Sequence, residues 1–203
     1  MAVDNWQTYY SASVAWYTTS VPYAIGNVSF FSGATAYPAI QSGPSQWNAV
    51  GTPLQFWYAG ADNSNYSYPC AKYNLWFYQE DLSVYGPLGP GTLGKADYCT
   101  DVVGVTTRIL GSSVRFNDHL QNAAWYILLA GGPAESWRYD LASVSTHEVG
   151  HVTGWYGHFS SGGSDCPWSN LSLVQTMCQG WPGGTTLQRT LGTHDISNFD
   201  GKY

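Results

Sequence analysis

The chain has 203 residues, of which 44% are apolar and 16% aromatic, a composition that excludes intrinsic disorder. At this length one domain can bury enough surface to fold without a metal or disulfide. Charged residues are only 10% and the net charge is −6, which makes nucleic acid a poor partner. The apolar run that contains Trp125 to Ala130 is far short of a membrane span. No basic segment followed by an apolar stretch opens the chain, so no signal peptide is read, and Met1-Ala2 fits a start added to a mature form.

Taken in chain order, β-prone residues predict strands over Val14–Thr18 and Val28–Phe31. Across Ala36–Val50, Ile40, Trp47 and Val50 can share one helical face, and Ser42-Gly43-Pro44 predicts that this helix is broken or starts late. Leu54–Ala59 and Leu75–Tyr78 read as short strands, with Gly60–Tyr68 a loop rich in turn formers. Tyr85–Gly94 reads as a second loop. Val102–Leu110 and Val114–Phe116 read as two strands separated by Gly111-Ser112-Ser113. The strongest helix signal is Asp140–Thr153, after which glycine, proline and serine dominate as far as Leu187. The tail from Thr193 to Tyr203 opens with a threonine N-cap and an early acid, Asp195. It places Ile196, Phe199 and Tyr203 at i, i+3 and i+7, so a short docked helix is expected. Strands first and helices late give an α+β class.

Four cysteines, Cys70, Cys99, Cys166 and Cys178, contain no CxxC pair, which argues against a four-cysteine zinc site. Two disulfides in an oxidising compartment account for them better than four reduced thiols. Three connectivities are open, and Cys70–Cys99 with Cys166–Cys178 is preferred because each closes a short loop.

The chemistry is concentrated at His147-Glu148-Val149-Gly150-His151. Helical residues four apart share a face one turn apart, so both imidazoles can converge on one ion. Glu148 stands beside them and is free to accept a proton from an attacking water and pass it to a leaving amine. Gly154 can adopt positive φ and turn the chain back. His158 follows four residues later, close enough to supply a third ligand. Three protein ligands and an open position define a catalytic zinc, whereas a structural site is closed by a fourth. The competing reading is a surface helix with a wet His/Glu face.

This run, from His147 to Gly154 with a following histidine and a downstream Met177, resembles the metzincin clan of zinc endopeptidases, and within it the matrixin-like enzymes. Val21-Pro22-Tyr23 resembles the family's first strand, Ile40 with Trp47 its first helix, and Val114–Asp118 its cleft-bordering strand. Tyr139–Val144 resembles the lead into the zinc helix, and Leu191–Phe199 the last helix. The resemblance implies a twisted, mostly parallel sheet over two long helices, in one catalytic domain over 1–203. Its upper part would cover about 1–154 and an irregular lower part about 155–203. It also implies Met177 in a turn that floors the metal site; the Cys166–Cys178 bridge preferred above would tie that turn, and Asp195 is a candidate for a hydrogen bond near it.

The family's third ligand falls three residues after the glycine, which here is Gly157; His158 is one residue late. The turn can absorb the extra residue, and Asp165 is the alternative ligand, since related small secreted proteases use an aspartate. A two-histidine site completed by water is a third option. No pro-segment with the family's regulatory cysteine is read before the catalytic domain, so a mature form, or another restraint on activity, is expected. Only His119 and His194 remain outside it, so the animal matrixins' second, structural zinc is expected to be absent. Asp62, Asn63 and Asn65 offer oxygens for calcium, although a plain polar loop accounts for them. Tyr156 and Trp181 are candidates for the cleft wall, and Tyr156 for an oxyanion contact, against an ordinary packing role.

The function expected is therefore a secreted, monomeric zinc endopeptidase acting on proteins or peptides held in extended form along an edge near Val114–Asn117. Two other classes stay open: a zinc-containing inactive homologue used as a binding module, and a carbohydrate-binding protein built on the abundant Trp and Tyr.

Overall fold

The computed structural model describes residues 14–26, 36–62, 75–84, 92–120, 125–126, 138–155, 157–159, 166–170, 173–180 and 184–203. The strand expected over Val28–Phe31 lies outside these residues, as do Asn63, Asn65, Cys70, Tyr156, Asp165 and Trp181.

The architecture is α+β. Strands β1 (Val14–Trp16), β2 (Ser20–Ile25), β3 (Gln55–Ala61), β4 (Leu75–Glu80), β5 (Gly94–Val103) and β6 (Thr106–Asn117) make one mostly parallel sheet in the order β1-β6-β4-β2-β3, with β5 antiparallel beside β6. The first helix, α1 (Ala36–Asn48), is the crossover that lets β2 and β3 run parallel. A two-residue ladder joins β7 (Trp125–Tyr126) to β8 (Tyr139–Asp140), and β8 leads directly into α2 (Leu141–Val152). A last helix, α3, covers Thr193–Lys202. The two longer helices pack on each other, α2 lies against β5 and β6, and α1 lies against β3. Trp47, Trp125, Trp155, Phe77 and Phe116 are fully buried between these layers, so much of the tryptophan serves the core.

Three expectations are corrected. Helix α1 runs unbroken through Pro44. Proline removes the N–H that would bond Ile40 O, but the Ser145 hydroxyl donates to that carbonyl at 2.6 Å, so no buried acceptor is orphaned. Gly43 makes this approach possible, because a Cβ there would stand 2.5 Å from Ser145 Oγ. Second, Gly111-Ser112-Ser113 is not a break: it lies inside the 12-residue β6, where Ser112 Oγ donates to Asp97 O at 2.7 Å. The chain reverses earlier, at Gly104 (φ 65°), and the only irregularity within the described β5–β6 ladder is the unpaired Leu110 opposite Cys99/Thr100. Third, Val114–Asn117 is not an edge, since β4 pairs it on one side and β5 on the other. The strand bordering the cleft is β5.

The terminal helix is capped by Gly192 rather than Thr193, and Asp195 reaches back to accept from Gly192 N at 2.9 Å. Phe199 is buried at its centre against Trp47, whereas Ile196 is 39% exposed.

Candidate metal centre

Asp140 starts the helix that carries the site. Its carboxylate accepts from Ser143 N at 2.8 Å, and Arg189 binds it through both a 2.9 Å and a 2.6 Å hydrogen bond. The cap is fully buried, so the guanidinium fork both neutralises it and fixes the helix start. At the other end Trp16 Nε1 donates to Val152 O and Tyr203 Oη to Thr153 O, taking up carbonyls that the helix leaves without partners. Gly154 follows with φ 94° and reverses the chain, as its position suggests.

That reversal brings His158 back to His147 and His151. The three Nε2 atoms form a triangle with sides of 3.2, 3.2 and 3.1 Å. His147 Nδ1 lies 2.8 Å from Thr176 O and His151 Nδ1 2.8 Å from Trp155 O. A carbonyl can only accept, so both rings carry their proton on Nδ1 and turn bare Nε2 lone pairs inward. Lone pairs that face each other at this range are not hydrogen-bonded and call for a shared cation. Three nitrogens at about 2.0–2.1 Å from a tetrahedral ion stand about 3.3–3.4 Å apart, close to the triangle seen. The donor set fits a metal, and His158 takes its place in it despite its late position. Among the described residues this is the only group of His, Cys, Asp and Glu that could hold an ion.

Burial favours the neutral imidazole at all three positions. His147 is pushed well below the ordinary histidine value and His151 to about 4, and burial also lowers His158. Neutral rings are the state a cation needs.

Glu148 is buried on the wall of a cleft of about 660 Å³ that also exposes the three histidines. Burial raises its carboxyl to about 8, opposed by a hydrogen bond from Ala96 N–H of β5. A cation at the triangle would pull that value down again. Strand β5 crosses so close that a Cβ at Gly94 would stand 2.8 Å from Glu148 Oε1.

Met177 is fully buried, and its sulfur would be 2.2 Å from a Cβ at Gly150, so it packs directly under the helix between the two motif histidines. Asp195 holds this turn by accepting from Thr176 N at 2.6 Å and Met177 N at 3.1 Å. Cys166 and Cys178 are joined by a disulfide, and Cys99 is disulfide-bonded as well. His119 and His194 stand away from the triangle: the first faces Asp81 and Ser83, the second opens α3.

The side chains of the motif were legible in sequence. Its backbone partners, Thr176 O, Trp155 O and Ala96 N–H, were not, since any residue offers them. The alternation of Ala96 and Tyr98 with Lys95 and Asp97 was the available signal for β5. Arg189 carried none.

No model of a known protein family matches the chain, and no curated protein matches it significantly. No described helix is long and apolar enough to cross a membrane.

Proposed function

We propose that this protein is a secreted zinc endopeptidase of the metzincin kind, with His147, His151 and His158 as zinc ligands and Glu148 as general base. The observation that carries the reading is the convergence of three Nε2 atoms within 3.2 Å beside a buried carboxylate on a cleft wall. A zinc ion held there supplies Lewis acidity, acidifying water and polarising the scissile carbonyl. Glu148 takes the proton of the attacking water and returns it to the departing amine. Ala96 N–H fixes one face of its carboxylate, so the other is presented to the cleft. The outer edge of β5 offers main-chain groups to a substrate in extended form, which is the role expected above of Val114–Asn117. The disulfides suit an oxidising, extracellular setting.

The test is hydrolysis of a mixed peptide library by the zinc-loaded protein and by zinc-loaded Glu148→Ala. Cleavage by the parent that falls at least about a hundredfold in the variant supports the mechanism. No cleavage by either with zinc bound sinks the protease reading and leaves a zinc-containing binding module.

A further inference from the structure

His158 differs from its two partners in how it is held. The rings of His147 and His151 are each oriented by a carbonyl at Nδ1. Among the described residues His158 has no such acceptor: its ring meets only the other two imidazoles. Its orientation therefore rests on its backbone. The next residue, Phe159, is paired on both sides of its peptide with the segment after the buried methionine: Phe159 N donates to Met177 O at 2.9 Å, and Gln179 N donates to Phe159 O at 3.1 Å. Between those two partners sits Cys178, which is covalently fixed to Cys166. Phe159 is itself buried, edge-on to Trp155 at 5.3 Å, whose carbonyl orients His151.

We infer that the Cys166–Cys178 bridge, acting through the Phe159–Cys178 pairing, is the positioning device for the third metal ligand, so that metal affinity depends on this disulfide through His158. The inference rests on the reading of the triangle as a metal centre. It also accounts for the tolerance of a ligand one residue late, because the pairing, and not the length of the turn alone, sets where His158 stands. The bridged cysteines and Phe159 are positioning residues; none of them touches the reacting atoms.

The experiment is a thermodynamic cycle read in zinc affinity, by competition against a chromophoric chelator, on the full chain, Cys166→Ser/Cys178→Ser, His158→Ala and the triple variant. Opening the bridge is expected to weaken zinc binding about 10- to 100-fold, the range for loss of an outer-shell support. In the His158→Ala background the same change is expected to weaken it less than about twofold, because the ligand the bridge serves is gone. Unchanged affinity in the first comparison, or an equal loss in both backgrounds, overturns the inference. Should the serine variant fail to fold by circular dichroism, Gln179→Pro replaces it in the cycle, deleting the N–H that pairs with Phe159 O while keeping the bridge; the same outcomes decide. A parent that binds no zinc overturns the metal centre itself, a result distinct from a parent that binds zinc tightly and ignores the bridge.

Discussion

The Ser145 hydroxyl and the Ile40 carbonyl, 2.6 Å apart, join the two principal helices at the point where Pro44 deprives α1 of a donor. The bond is a tertiary repair of a local defect. Because Ser145 sits two residues before His147, the same contact helps seat the helix that carries the candidate metal centre. Ser145→Ala leaves a buried carbonyl without a partner and is expected to cost about 1–3 kcal/mol. Gly43→Ala is expected to cost about as much by overpacking, since its Cβ would also stand 2.7 Å from the Ser145 backbone. Urea unfolding measures both, and a Ser145→Ala protein as stable as the parent would show that Ile40 O finds another donor.

Arg189 and Asp140 form a two-pronged pair at the start of α2, with the carboxylate fully buried and the guanidinium half-buried. Removing only the cation strands the carboxylate in the interior. Arg189→Met is therefore expected to destabilise by about 3–5 kcal/mol, whereas Asp140→Asn/Arg189→Met, which removes the charge from both sides, loses less. Thermal unfolding of the three proteins distinguishes this from a simple loss of surface packing, in which the double variant would be the worse of the two.

Asp195 gives the stability a pH dependence of its own. Burial raises its carboxyl to about 6, against the opposing pull of the N–H groups of Thr176, Gly192 and Met177. The unfolded value is near 3.9, so between these limits the folded chain holds a proton that the unfolded chain has released. The resulting stabilisation is fully present below about pH 4 and is lost as the pH rises through 6. It amounts to about 3 kcal/mol over that window. Asp195→Asn does not titrate, so the stability of the parent relative to this variant is expected to fall by that amount between pH 4 and 7. A difference that is flat or rises with pH would mean that the three donors outweigh burial.

The motif, the terminal helix and strands β1, β3 and β4 were legible because each is written locally, in side-chain spacing or in runs of β-formers, whereas β2 and the parallel pairing were expected only from the family resemblance. What was misread depended on distant partners. Pro44 looks like a helix breaker until Ser145 is placed beside Ile40. Gly111-Ser112-Ser113 looks like a turn until β4 and β5 cover both of its edges and bury Ser112 and Ser113 between them. Once Gly104 is seen to close the hairpin, β5 follows, and with it the correct border of the cleft. His158 was legible as a candidate ligand, yet the pairing that aims it runs through backbone atoms and leaves no trace in residue type.

Gly154 separates two demands that helix ends usually combine. Its φ of 94° is strained for any residue with a Cβ, yet a Cβ placed there meets nothing nearer than Val14 Cγ1 at 3.6 Å. The cost of substitution is thus conformational rather than steric. Gly154→Ala is expected to lose about 1–3 kcal/mol. Gly154→Asn, although larger, is expected to lose less, because asparagine enters the left-handed region more readily. If the turn sets the approach of His158, zinc affinity measured by chelator competition should follow the same order, glycine above asparagine above alanine. Asparagine faring worse than alanine would point to crowding at this turn, and equal zinc binding in all three would mean that the Phe159–Cys178 pairing alone holds the third ligand in place.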